Sequence, residues 1–316
     1  MSGNLVSVLI PAYNHEKYIL ETIDSIIKQT YQNIELVIID DGSKDKTWDL
    51  IQSKKDECIK RFIKFTCKTR ENKGTCDTFN ELISLSSGKY IYIIASDDMV
   101  KSDAILKFVD FLDNNNEYVV CLGDSEIIDS NSKRVSWDDK QQIVEFGKKH
   151  NTFWSFYKNN ISHVKNIDYD NFVDYIRLIK GNYVPNGYLI RKECFNKFCF
   201  TKEAPLEDFY LHLQLVKFGK YKFIDEVLFS YRWHDNNTIK NVDIMKKYFF
   251  DTISYEYFII KDNIELFNVY KKYAPLDKVK IFDLIFIKLY KYYNILKIKY
   301  YIKIFGIKFL IFNKEL

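Results

Sequence analysis

Short apolar runs alternate with stretches of helical spacing through the first 130 residues. Val6–Ile10 (VSVLI), Ile34–Ile39 (IELVII), Tyr90–Ile94 and Tyr118–Leu122 are nearly continuous in aliphatic and aromatic residues. They are too short and too β-branched for helices, and read as buried strands. Between them, His15–Gln29 places Ile19, Ile23, Ile26 and Ile27 at helical spacing, and Asp45–Ile59, Asp77–Leu85 and Ala104–Leu112 read the same way, with Arg61–Thr66 as a short extra strand. Strand–helix alternation of this kind predicts a largely parallel sheet covered by helices on both faces.

The polar residues that stop these runs are the next signal. The first run ends at Pro11, which cannot donate to a ladder. The second ends in Asp40-Asp41 with Gly42-Ser43 behind it, and the fourth in Asp97-Asp98 (YIYIIASDDM). Loops at the carboxyl ends of parallel strands meet on one sheet edge, where α/β proteins hold nucleotides. Two adjacent acids there can hold a hard divalent cation, which in turn grips phosphate oxygens. The plainer alternative is that they cap the helix expected near Ser102.

After Asp129 the alternation fails. Ser130–Asn166 is polar with scattered aromatics. Tyr169–Ile179 reads as helix, Tyr183–Arg191 as strand, Glu207–Phe218 as helix and Tyr221–Tyr231 as strand. From Val242 onward the chain is helical and aromatic. These breaks predict three parts: 1–129 binding a nucleotide, 130–240 completing the same domain as a specificity region, and 241–316 as a basic helical extension. Read as one helix at about 100° per residue, Val279–Phe312 puts Lys280, Lys288, Lys291, Lys299 and Lys303 within an arc of roughly 140°, with Gly306 as an interruption.

Composition narrows the class. Of 316 residues, 47% are hydrophobic and 17% aromatic, with only 10 Gly and 4 Pro, so a large core is affordable and long linkers are not expected. Six cysteines without a CxxC pair or finger spacing read as buried free thiols in a reducing compartment. The absence of a basic-then-apolar leader or a 20-residue apolar span makes the expected location cytoplasmic. Net charge is +4, but Lys271–Leu316 carries eleven lysines against three acids, leaving the rest acidic. Nucleic acid is therefore not the expected partner of the main body. The basic tail instead suits an anionic membrane surface or a docking partner.

Taken in order, SVLIPAYNHEKYI, VIIDDGSKDKT, ENKGTCDTFN, GKYIYIIASDD, PLEDFYLHL and FSYRWHDNN resemble family 2 glycosyltransferases of the GT-A fold, over about Val6–Asn237. The resemblance implies a mostly parallel sheet flanked by helices, with a C-terminal helical extension, and makes 130–240 the acceptor-binding half. It implies inverting transfer of a single sugar from a nucleotide-diphosphate donor to a glycan or lipid-linked acceptor in surface polysaccharide synthesis. By position, Pro11 and Tyr13 flank the nucleotide base and Asp41 accepts from a base imide N–H, which suits a UDP-linked donor. Asp97 and Asp98 match the element that contacts the ribose and holds Mn²⁺ or Mg²⁺, joined by His234. Arg232 matches a diphosphate contact, and Asp208, beside Glu207, the general base. Where many relatives carry Arg before the Asn of the third motif, this chain has Phe79 before Asn80, and Lys73 is the substitute cation. YRWH lacks the QxxRW pattern of processive synthases. Two alternatives fit less well: a sugar-phosphate nucleotidyltransferase, for which PAYNHEKY lacks the Gly-rich loop, and a non-catalytic nucleotide-sugar-binding partner, which has no use for Asp208. An NAD-dependent oxidoreductase fails for want of G-x-G-x-x-G.

Overall fold

A computed structural model describes residues 3–274, 302–304 and 307–309. In chain order the elements are β1 (Val6–Ala12), α1 (Ile19–Ile27), β2 (Ile34–Asp40), α2 (Thr47–Ser53), α3 (Lys55–Arg61), β3 (Lys64–Thr69), α4 (Thr75–Leu85), β4 (Tyr90–Ile93), β5 (Met99–Val100), α5 (Ala104–Asn114) and β6 (Tyr118–Ile128). They continue with β7 (Arg134–Trp137), β8 (Ile143–Glu145), α6 (Phe153–Asn160), α7 (Tyr175–Leu178), β9 (Tyr188–Arg191), α8 (Glu207–Leu215), β10 (Lys220–Arg232), α9 (Val242–Ile260) and α10 (Ile264–Tyr273).

The main sheet runs β3-β2-β1-β4-β9-β6-β10-β5, with the β7–β8 hairpin attached to β6. β3, β2, β1 and β4 are mutually parallel, as are β6 and β10, while β9 and β5 pair antiparallel with their neighbours. The alternating side chains of the central strands are buried on both faces. Val6, Val8, Ile10, Leu36, Ile38, Tyr90 and Tyr92 pack with Ile19, Ile23 and Ile26 of α1 and with Phe108 of α5. Leu9, Val37 and Ile91 are equally buried on the opposite face, and α4 packs on β1 and β2. The register sets Ala12 beside Asp40 and Leu9 beside Ile93, so β1, β2 and β4 end on one edge as the sequence predicts.

Several expected elements take a different form. The helix expected over 45–59 is broken at Lys54 into α2 and α3. The one expected over Tyr169–Ile179 is a 3₁₀ turn at Tyr169–Asn171 followed by the single turn of α7. The strand expected from Tyr183 begins only at Tyr188, and the polar stretch after Ser130 contains β7, β8 and α6. The compact body extends through Tyr273, so α9 and α10 belong with the sheet and not with a separate extension that starts at residue 241.

Ala274–Leu316 form a second unit. Within it Ile302–Ile304 and Ile307–Phe309 make a two-stranded antiparallel ladder in which Lys303 pairs with Lys308. This corrects the reading of Val279–Phe312 as one helix, whose other residues, with Lys280, Lys288, Lys291 and Lys299, lie outside the described residues. The physical reason is visible in IKIFGIKF: apolar residues and lysines alternate with a period of two in Ile302–Ile304 and Ile307–Phe309. No helix among the described residues is long and apolar enough to cross a membrane. All six cysteines are free, four of them buried.

Candidate active site

The buried strand expected from Tyr90 is β4, and a second, short strand, β5, follows the Asp97-Asp98 pair. The chain leaves the sheet edge at the end of β4, turns through Ser96-Asp97, and rejoins the sheet as β5 beside β10. Asp98 N–H closes the turn on Ala95 O at 3.2 Å. Helix α5 starts at Ala104 behind Asp103, so Asp97 and Asp98 do not cap it.

The long strand β10 delivers YRWH to this turn. Arg232 N–H donates to Asp98 Oδ1 (2.8 Å), its Nε–H donates to Asp97 O (2.6 Å), and His234 Nε2 meets Asp97 Oδ2 at 2.9 Å. His15, from the loop after β1, places Nε2 3.8 Å from the same oxygen and sets Nδ1 2.7 Å from Ser96 Oγ. The ring nitrogens of His15 and His234 and the Asp97 carboxylate all lie within 4.8 Å of one another. A first-row divalent cation with bonds near about 2.1 Å spans ligand pairs of roughly 3–4 Å, so the donor set fits a metal. Asn236 N–H donates to His234 Nδ1 (3.2 Å), a contact that helps set the orientation of the ring.

The two acids of the pair differ. Burial pulls the Asp97 carboxyl upward, but the His234 hydrogen bond and the nearby His15 outweigh it, and Asp97 lies below its usual value. Asp98 is held well above the carboxylate range by burial and by the adjacent Asp97 charge. Asp98 is therefore the acid tied to β10, and Asp97 the one that meets both histidines.

Arg232, expected at the diphosphate, is fully buried. Besides Asp97 O, its guanidinium donates to Asp129 O (3.2 Å), Ser132 Oγ (2.8 Å) and Glu21 Oε2 (2.6 Å), and lies 4.7 Å from the Tyr18 ring centroid. The other side of that chain is the Tyr18 ring against His234, 5.0 Å between centroids. This placement departs from the sequence expectation. A cation with its donors turned into protein carbonyls and Glu21 braces the turn from beneath.

At the nucleotide end, Asp41 is buried at the tip of β2. Its carboxylate accepts the backbone N–H groups of Lys73 (2.9 Å) and Gly74 (3.0 Å) and pairs with Arg70 Nη1. Arg70 is held in turn by Glu81 (2.8 Å) and Thr78 Oγ1 (2.8 Å). The cation beside Asp41 is thus Arg70, while Lys73 contributes its backbone. Gly74 adopts φ +89°, a conformation that an L side chain would strain. Pro11 lies in β1 and Tyr13, just after it, is 46% exposed, leaving its ring free to stack. Phe79, where relatives carry Arg, packs on Phe200 (4.9 Å).

Asp208 occupies the first turn of α8, where its charge complements the helix dipole. Tyr188 O–H donates to Asp208 Oδ1 at 3.4 Å. Burial raises the Asp208 carboxyl, against the pull of that hydrogen bond, and burial with the Asp208 charge pushes Glu207 to about 8. Helix α9 holds α8 in place: Glu256, fully buried, receives Gln214 Nε2 (2.9 Å), Lys217 Nζ (2.8 Å) and Tyr175 O–H (2.6 Å). Phe249 stacks on Phe209 (5.3 Å).

His15, Ser96, Arg70, Tyr18 and Tyr188 are absent from the sequence reading. His15 carried a usable signal, because it stands in the same strand-end loop as Tyr13. The others meet their partners only across the sheet.

Comparison with known proteins bears on the family and the fold. Residues 7–180 match the family described as Glycosyl transferase family 2. An uncharacterized glycosyltransferase of Haemophilus influenzae is 30% identical over 239 residues, covering 74% of this chain and 67% of that protein. The Escherichia coli UDP-Glc:alpha-D-GlcNAc-diphosphoundecaprenol beta-1,3-glucosyltransferase WfaP is 35% identical over 114 residues, covering 36% of this chain and 43% of its own. Among solved structures, S. aureus TarS 1-349 in complex with UDP-GlcNAc superposes with a TM-score of 0.61 at 18% identity, covering 87% of this chain and 76% of that one. The fold is the GT-A type, and the chain is a glycosyltransferase belonging to glycosyltransferase family 2.

Proposed function

We propose that the protein is an inverting transferase that moves one sugar from a UDP-linked donor to a hydroxyl of a glycan or lipid-linked acceptor in surface polysaccharide synthesis. The observation that carries this reading is the meeting of His234 with Asp97 at 2.9 Å across 137 residues of chain, beside the edge where β1, β2 and β4 end. It joins two sequence motifs into one phosphate-handling site.

In this reading Asp41, with its backing Arg70, accepts the N3–H of the base, and the Tyr13 ring covers the base face. Pro11 and the Lys73 backbone shape the same cleft. Asp97 and His234 would hold Mn²⁺ or Mg²⁺, which supplies Lewis-acid neutralisation of the departing diphosphate when bound. Asp98 keeps the turn on β10. Asp208 takes the proton of the acceptor hydroxyl as that oxygen forms its bond to the anomeric carbon. The anomeric carbon–oxygen bond to the diphosphate breaks on the opposite face, so the configuration inverts. The Tyr188 hydroxyl orients the Asp208 carboxylate. The basic tail, by its sequence, is proposed to add reversible contact with anionic lipid at the inner membrane face.

The test is release of the nucleoside diphosphate from a panel of UDP-, GDP- and dTDP-sugars with Mn²⁺, with and without lipid-diphosphate acceptors. Turnover of a UDP-sugar with inversion at the anomeric carbon is expected. Turnover confined to a GDP-sugar, or retention of configuration, would overturn the donor or the mechanistic assignment respectively.

A further inference from the structure

We propose that His15 is a third protein ligand of the cation, so that the site is a two-histidine, one-carboxylate face that prefers first-row transition ions, Mn²⁺ among them, to Mg²⁺. The proposal rests on the metal reading above and adds to it both a residue and a choice of ion.

Three observations carry it. His15 Nε2 points at the same Asp97 oxygen that His234 meets, 3.8 and 2.9 Å away respectively, and the three donors lie within 4.8 Å of one another. The far nitrogen of His15 is engaged by Ser96 Oγ at 2.7 Å, the kind of outer-shell bond that orients a ligating imidazole and directs Nε2 toward the site. The ring is also held from its own backbone, where His15 N–H donates to Thr47 Oγ1 (2.8 Å), and from the side, where it meets Tyr18 edge-on at 6.0 Å. A histidine anchored on Nδ1, on its backbone and on its ring edge is presented and not merely accommodated.

The consequence for ion choice follows from ligand chemistry. Mg²⁺ favours all-oxygen surroundings and sheds water reluctantly. Imidazole nitrogens suit later first-row ions, and affinity rises from Mn²⁺ toward Co²⁺ and Ni²⁺. With Asp98 tied to the Arg232 backbone N–H, the protein supplies one carboxylate and two nitrogens. Remaining positions are left for water and diphosphate oxygens.

The experiment titrates the full-length protein with Mn²⁺ alone, following free ion by electron paramagnetic resonance, and counts coupled imidazole nitrogens by electron spin-echo modulation. Wild type is expected to couple two imidazoles and His15→Ala one, with Mn²⁺ affinity lowered at least about tenfold. Asp98→Asn should bind Mn²⁺ as wild type does, and Mg²⁺ should displace Mn²⁺ only in large excess. Circular dichroism melting of each variant separates lost ligation from lost fold, and His15→Gln provides a second, polar replacement. One coupled imidazole in wild type, unaltered affinity in both His15 variants, or displacement by equimolar Mg²⁺ would overturn the proposal. If affinity falls in His234→Ala and Asp97→Ala but not in the His15 variants, the metal site survives without His15. If wild type binds no Mn²⁺, both fail together.

Discussion

Replacing Arg232 with Met distinguishes a brace from a substrate contact. The side chain is fully buried and donates to Asp97 O, Asp129 O, Ser132 Oγ and Glu21. Glu21 is 45% exposed and can be rehydrated, so its ion pair adds little. The carbonyls of Asp97 and Asp129 cannot all be rehydrated, and each unmatched group costs about 1–3 kcal/mol. Met fills much of the volume but satisfies none of them. The expected loss is about 3–5 kcal/mol, within the range for breaking a buried charged network. For a body of this size that is a fall in Tm of roughly 5–10 °C. Melting followed by circular dichroism, beside KM for the donor, gives the answer. Lowered stability with Mn²⁺ binding and turnover falling together is the expected pattern. An unchanged melt with a raised donor KM alone would refute the reasoning and return Arg232 to the diphosphate.

Asp208→Asn should keep donor affinity and fold while lowering kcat by about 10²–10⁴-fold, measured as single-turnover transfer; an unchanged kcat would pass the role to Glu207. Because the Asp208 carboxyl is raised by burial, the acid limb of the kcat profile should lie above the ordinary carboxylate range, activity rising with pH as the base ionises. Glu207 carries a stability signature of the same sign: its folded value near 8 exceeds the ordinary 4.5, so its contribution is complete below about 4.5 and is lost as pH rises through about 8. Denaturant titrations of Glu207→Gln should therefore show a flatter decline of stability across that window than wild type. Removal of residues 279–316 should weaken co-sedimentation with anionic vesicles and leave donor hydrolysis intact, whereas binding indifferent to lipid charge would exclude the electrostatic role.

The central strands were legible because burial on both faces forces continuous apolar runs at β1, β2 and β4, and the acids that stop them mark the edge. Asp41 and Asp97 could be located from local pattern alone. Arg232 could not be placed this way. An arginine reads as exposed by residue type, and its burial depends on carbonyls of Asp97 and Asp129 more than 100 positions away. His15 and Arg70 were hidden for a related reason. Each lies in a polar loop, and only the register of β1 with β4 and of β2 with β3 brings their partners near. In the tail, period-two alternation competed with a helical arc of lysines, and the pairing of Ile302–Ile304 with Ile307–Phe309 follows the alternation. Residues 130–205 offered scattered aromatics without period, since their order comes from packing among Trp137, Phe156 and Trp233.

Helix α9 lies beyond every recognisable motif, yet it closes over the helix that carries Asp208. Leu206 N–H, one residue ahead of α8, donates to Thr252 Oγ1 at 3.1 Å, and Lys217, at the far end, reaches Glu256. A protein trimmed at residue 240, just past the last motif, would lose both anchors and leave Phe209 facing water. Exchange of C-terminal segments between relatives, in the laboratory or in evolution, is therefore workable only past Tyr273. Whatever such a swap changes in targeting or partner choice, α9 and α10 have to travel with the helix that carries Asp208.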